Sequence, residues 1–247
     1  MMTAPAVADA VERARRMPSL RVGLHLVLVD GIPTLPRSSV RSLTDRSGRF
    51  HSNMALSGFN MMFSPAARDQ LAAEITAQFE AFRATGLKLD HINGHKHFHV
   101  HPVIAKCVLR IGRRFGVRAV RVPIEPADVL QKVQPDAPVR NEWLLAYFAR
   151  GLLRRARRLG IFAPDQVFGI QWSGAMTRER MRSLIEALPE GVSEIYCHPA
   201  LSGAFPGSAQ GYRYADELAA LTDRDVIAAA RSTRIRLGGF TDFLPKR

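Results

Sequence analysis

The sequence predicts an α/β fold built on a parallel sheet, either open or closed into a barrel. Three observations predict it. Short apolar segments alternate with longer amphipathic ones, helix-end signals fall where the periodicity changes, and the connections are long enough to hold a crossover helix. Strands are expected at 20–29, 87–93, 117–122, 166–171, 192–197 and 235–240, each rich in Val, Ile or Leu and ending near Gly, Pro or Asp. Helices are expected at 6–16, 65–84, 102–115, 142–159, 178–188 and 215–231. Ser64 before Pro65 reads as an N-cap with proline in the first helical position, and Gly86, Gly116 and Gly160 read as C-terminal stops. Residues 30–63 hold Pro33, Pro36, a DRSG turn and the apolar MALSGFNMMF. That stretch is too long for an ordinary connection and reads as a lid or substrate loop.

A chain of 247 residues can fold as one domain with a substantial core. No apolar run approaches the ~18 residues of a membrane span, and residues 1–10 lack the basic and apolar regions of a secretory signal, so a cytoplasmic protein is expected. Cys107 and Cys197 have no ligand-like spacing and read as free thiols of a reducing compartment. The net charge of +13 would attract polyanions whatever the fold. Its arginines, however, lie on helix-like stretches such as ERARR (12–16) and RRARR (154–158), without the interleaved aromatics of a single-strand groove or a DNA-reading motif. Nucleic acid is therefore not expected as a partner.

The chemistry concentrates in DHINGHKHFHVHP (90–102), which holds five of the eight histidines. On an extended backbone His91, Asn93 and His95 share a face at the end of a strand, with His97, His99 and His101 in the turn beyond. Parallel barrels build their sites at that end, and neutral imidazole is the commonest protein ligand for borderline divalent metals. A polar turn that binds metal only adventitiously is the plainer alternative. His25, in LRVGLHLVLV (20–29), would by itself read as a core histidine; a second histidine-bearing strand makes it a candidate ligand. His198 closes the strand VSEIYCHP and is open to being ligand, general acid or structural cap, with Glu194 and Tyr196 on its face. Arg121, with Pro123 and Glu125 beyond it, reads equally as a surface arginine or as a group that orients a carboxylate or substrate. Cys197 is not a nucleophile served by His198, because adjacent strand residues face opposite ways.

Taken together, GLHLVL (23–28), HINGHKHFHVHP (91–102), RVPIE (121–125) and EIYCHPA (194–200) resemble the YdjC-like carbohydrate deacetylases in order and spacing. RVGLHLVLV with its following DGIP turn is most similar to members associated with hopanoid biosynthesis. The resemblance implies an irregular TIM-barrel-like fold and a divalent metal ion, Mg or Zn, held by His25, His95 and an aspartate from an N-terminal DDFG-type motif. It implies hydrolysis of the acetamide of an N-acetylated sugar or glycolipid. His198 would then protonate the leaving amine as a catalytic group. Arg121 and Asn93 are expected near the developing oxyanion, and Asn93, His97 and Glu125 at the substrate. No DDFG occurs in the sequence, so the third ligand and the expected base have no counterpart. The expectation is a chain that starts at an internal methionine, lacks the first strand, binds metal weakly and shows little activity. A family member that binds glycans without hydrolysing them, and a barrel hydrolase of other substrate class, are the alternatives. Peripheral contact with the inner membrane is a further expectation, from the apolar and arginine-rich faces of 142–159, and a homodimer is left open.

Overall fold

The computed structural model describes residues 1–136, 138, 142–205, 207–232 and 234–245. They form two compact units, one of residues 1–122, 147–163 and 239–247, the other of 123–146 and 164–238.

The first unit opens with α1 (Val7–Arg16), a surface helix with exposed Asp9–Arg13 and Glu12–Arg16 pairs one turn apart. β1 (Val22–Leu26) follows, then α2 (Met54–Phe63) and α3 (Pro65–Ala84), then β2 (Leu89–Gly94) and α4 (Pro102–Arg114). β1 and β2 pair in parallel, with His25 opposite Asn93 and Leu26 opposite Gly94. Parallel bridges Ile92–Val120 and Ala119–Phe162 extend this pairing beyond β2. Leu24, Leu26, Ile92, Ala119 and Val120 are buried, as strands covered by crossover helices must be. Leu71, Ile75, Phe79 and Phe82 of α3 recur at helical spacing and are buried with Ile104, Val108 and Ile111 of α4. Ser64 caps α3 by accepting from the Ala67 N–H at 3.2 Å, and Gly86 and Gly116 end α3 and α4 at positive φ, as the end signals require.

One buried polar device ties this unit together. The amide of Gln78 donates to the Val27 carbonyl (2.7 Å) and accepts from the Val27 N–H (3.0 Å), standing in for a strand beside β1. Glu74, fully buried, accepts from Thr34 N–H (2.8 Å), Leu35 N–H (2.9 Å) and Gln78 Nε2–H (2.9 Å). It thereby fixes the start of the 30–63 stretch to α3.

The second unit holds α5 (Ala127–Val133), the start of α6 (Trp143–Arg158), β3 (Gln166–Phe168), α7 (Arg178–Glu186), β4 (Ser193–Ile195), α8 (Tyr214–Thr222) and α9 (Arg224–Ala230). β3 and β4 pair in parallel. Its core gathers Val129, Leu130, Phe168, Trp172, Met176, Met181 and Leu184, with the Arg180 guanidinium 5.6 Å above the Trp172 ring.

The mixed α/β class and the parallel pairing agree with the sequence reading; several elements do not. Among the described residues hydrogen-bonded strands make two sheets of two strands, not six strands. Residues 117–122 pair only through single bridges. Residues 235–239 form no strand and 240–243 form a 3-10 turn, because the N–H groups of Phe240 and Thr241 donate to Asp90 and that of Gly239 to Asp242. The expected helix 215–231 is two helices: Asp223, extended, accepts from the N–H groups of Asp225 and Val226 and restarts the chain as α9. Within the 30–63 stretch MALSGFNMMF is helical, capped by Asn53. Its buried face is Ser57, Gly58 and Met61 while Leu56, Phe59 and Phe63 are exposed, so apolar residues on both faces hide the period. The DRSG turn is present, with Asp45 accepting from Ser47 N–H and closing a Thr44–Phe50 bridge. Among the described residues neither Cys107 nor Cys197 is in a disulfide, and no helix is long and apolar enough to cross a membrane.

Candidate functional site

In the first unit the site stands at the carboxyl ends of β1 and β2. His25 Nδ1 lies 2.7 Å from Asn93 Oδ1. An amide oxygen only accepts, so Nδ1 carries the proton and Nε2 keeps its lone pair for another partner. Burial, followed by the positive charge of the chain's amino terminus, pushes the His25 pKa down to about 3, so the ring is neutral in ordinary buffers. The His95 ring meets it edge to face at 5.7 Å. The strand ends at Gly94, and Lys96 and His97 both take left-handed backbone (φ 51° and 55°), a conformation rare for residues with a side chain. Lys96 forms an ion pair with Asp30, itself left-handed, joining the loops that follow the two strands.

The remaining histidines of the segment divide by contact. His99 is buried and its Nε2–H donates to the Arg121 carbonyl at 2.9 Å; burial holds its pKa down at about 4. His97 lies 6.2 Å from it, ring to ring. His101 packs between Phe98 and Phe148, close over Gly58. His91 donates from Nδ1 to Asp90 and stacks on Phe240. The charge of Arg121 adds, after burial, to the lowering of both His25 and His99. Burial pushes the Asp90 carboxyl up, yet hydrogen bonds from His91, the Thr241 hydroxyl and two backbone N–H groups outweigh it and hold the group well below the usual carboxylate range.

In the second unit His198 follows β4. Its N–H donates to Glu217, and its Nδ1 lies 4.0 Å from Glu217 Oε2. Glu217 is fully buried and also accepts from Met176 N–H at 3.0 Å. Tyr196 and Tyr212 present their rings to His198 at 5.6 Å and 5.1 Å. Glu125 accepts from the N–H groups of Gly169, Ile170 and Gln171 at 2.8, 3.0 and 2.8 Å, so both its oxygens anchor the loop after β3. Burial raises its carboxyl pKa against the pull of those donors.

The chain matches the profile of the YdjC-like proteins over residues 1–232. It belongs to the YdjC-like family. Its relatives include the carbohydrate deacetylase of Geobacillus stearothermophilus, 29% identical over 98% of this chain and 84% of that one, and the carbohydrate deacetylase of Brevibacillus brevis, 29% identical over 94% and 82%. A crystal structure from Enterococcus faecalis V583, described as a candidate cellobiose-phosphate cleavage protein, superposes with a TM-score of 0.74 at 23% identity over 99% of this chain and 86% of that one. That likeness shows a shared fold.

In this YdjC-like chain the structure brings His25, Asn93, His95 and Arg121 together within one unit, and puts Glu125 and His198 in the other. Asn93, expected at the substrate, uses both ends of its amide within the protein. Two imidazoles, one with its tautomer set by Asn93, suit two positions of a divalent metal site. Among the described residues no group of three His, Cys, Asp or Glu side chains is placed to hold an ion. Sequence reasoning missed Asp90 and Glu217. Asp90 stands in the quoted motif, but its partners lie 150 residues away; Glu217 is an ordinary first-turn glutamate of α8 until the fold sets it behind His198.

His99 carries a pH prediction. Its pKa is lower folded than unfolded, so its contribution to stability is complete above about pH 6.5 and is lost as pH falls toward its folded value of about 4. Within that window each pH unit should cost up to about 1.4 kcal/mol. Urea midpoints measured from pH 7.5 to 5 should fall for the native chain and fall less for His99→Gln, which keeps a donor for the Arg121 carbonyl without titrating. Equal slopes would show that His99 is not the buried neutral group described.

Proposed function

We propose that this chain is a divalent-metal-dependent N-deacetylase of amino sugars or of a glycolipid carrying one, including a glycolipid of hopanoid biosynthesis. The observation that carries the reading is the His25–His95 pair at adjacent strand ends, with Asn93 directing His25 Nε2 away from the protein's own hydrogen bonds. Family membership and the names of the relatives support the reaction class.

His25 and His95 would hold the ion, Mg or Zn, and water would complete the set beside them. When bound, such an ion supplies polarisation of an amide carbonyl and a water of lowered pKa. Arg121 adds fixed positive charge on the His25 side, where negative charge develops on the carbonyl oxygen. His97, held out of the strand by its left-handed backbone, is the substrate-facing imidazole of the turn. His198 is the proposed acid for the amine nitrogen as the C–N bond breaks, with Glu217 Oε2 4.0 Å from its Nδ1. Asn93 shapes the first unit's site by holding the His25 ring, and Glu125 holds the loop after β3 within its own unit. The exposed Leu56, Phe59 and Phe63 of α2 fit a substrate with a lipid portion.

Acetate release should be measured from N-acetylglucosamine, its β-linked dimer and an N-acetylglucosaminyl lipid, each in millimolar Mg or Zn. The reading expects release from at least one, with the lipid-linked sugar turned over best. Saturable sugar binding with no release from any of them would replace it with a glycan-binding role.

A further inference from the structure

We infer that Asp90, His91 and Asn93 form a one-way hydrogen-bond chain that fixes the tautomer of His25, and that the Phe240–Thr241 turn sets its direction by locking Asp90. The inference rests on the reading of His25 as a metal ligand through Nε2, and extends it to residues that touch neither metal nor substrate.

The chain can be followed atom by atom. Asp90 Oδ2 lies 2.9 Å from His91 Nδ1, His91 Nε2 lies 3.4 Å from Asn93 Nδ2, and Asn93 Oδ1 lies 2.7 Å from His25 Nδ1. A carboxylate only accepts, so Nδ1 of His91 carries a proton, and in the neutral ring its Nε2 accepts. The amide nitrogen of Asn93 then faces His91 and its oxygen faces His25, which leaves His25 protonated on Nδ1. Turning the amide over would set a lone pair of His91 Nδ1 against the carboxylate. Free histidine prefers the Nε2–H form, so the protein selects the tautomer that leaves Nε2 open.

Three features hold the chain in place. The parallel register sets Asn93 directly across from His25, and His91, two residues earlier, shares its face. Gly23 makes room for the His91 ring, since a Cβ there would fall 2.6 Å from it. The Phe240 ring stacks on His91 at 4.0 Å and 16°. Asp90 itself is only 3% exposed and accepts from Phe240 N–H (3.0 Å), Thr241 N–H (3.0 Å) and Thr241 Oγ1–H (2.5 Å). A turn 150 residues downstream thus keeps the carboxylate fixed and accepting. Asp90, His91 and Thr241 are positioning residues.

The test is long-range 1H–15N correlation of the histidine rings in the metal-free chain, with zinc affinity read separately by competition against a chromophoric chelator. The native chain should show His25 and His91 protonated on Nδ1. Asp90→Asn, whose amide can donate to His91, should move both rings toward a tautomer mixture and weaken zinc about tenfold or more. Thr241→Val, a milder change should Asp90→Asn fail to fold, should move them in the same direction. Arg21→Gln, which breaks the neighbouring Arg21–Asp242 pair but no link of the chain, should leave them unchanged. A native His25 protonated on Nε2, or one whose tautomer is indifferent to Asp90 and Thr241, would overturn the inference. Tautomers that shift as expected while zinc affinity stays level in every variant would uphold the chain and sink the reading of His25 as a ligand instead.

Discussion

His25→Ala is expected to lower acetate release by roughly a hundredfold or more, since loss of an outer partner of a metal-bound histidine alone costs about 10–100-fold. The expectation rests on three observations. His25 ends β1 in register with Asn93, its Nδ1 is committed to that amide, and burial keeps it neutral, so its function lies in Nε2. Alanine removes that donor. The loss should appear in kcat/KM at limiting metal and be partly restored by raising the ion concentration, because His95 remains. An equal loss at all metal concentrations would point to a fold defect, which the melting temperature would reveal. Unchanged turnover in a folded His25→Ala chain would remove His25 from the mechanism.

Glu74→Ala is expected to destabilise the first unit by about 3–5 kcal/mol, the largest stability effect of a single replacement in this account. Glu74 is fully buried and satisfies two backbone N–H groups and the Gln78 amide. Alanine leaves one buried and two part-buried donors without their acceptor, each worth about 1–3 kcal/mol, with partial relief from entering water. The Gln78 contact to Val27 would loosen as well, freeing the edge of β1 next to His25. For a chain of this size the melting temperature should fall by about 10 °C. A fall under about 2 °C would mean that the buried carboxylate is replaceable by solvent and that the 30–63 stretch is not anchored through α3.

What the sequence made legible follows from which signals are local. Helix ends were readable because Ser64–Pro65 and the glycines after α3, α4 and α6 act within one turn of themselves. The side-chain alternation that sets His91 and Asn93 on one face is likewise local, and the structure keeps it, whereas His95, expected on that same face, lies past the strand end in the 3-10 segment. Long-range pairing was not readable. Asp90 and Phe240–Thr241 meet only through the fold, and that meeting turns an expected strand at 235–240 into a turn. Glu194 and Tyr196 were readable as neighbours of His198 on its strand, but Glu217 of α8, whose Oε2 lies 4.0 Å from His198 Nδ1, has no local signal of that role. Glu125, expected at the substrate from the RVPIE string, accepts from three backbone N–H groups of the loop after β3, which no local signal announces. α2 was hidden because Leu56, Phe59 and Phe63 stay apolar on the exposed face, so no periodic contrast marks the helix.

The most direct test of the account is acetate release from an N-acetylglucosaminyl substrate by one preparation measured three times: as purified, after chelation, and after return of a divalent ion. The account predicts release that vanishes on chelation and returns with the ion in the native chain, but not in a folded His25→Ala, His95→Ala double variant. Release that survives complete chelation would contradict it.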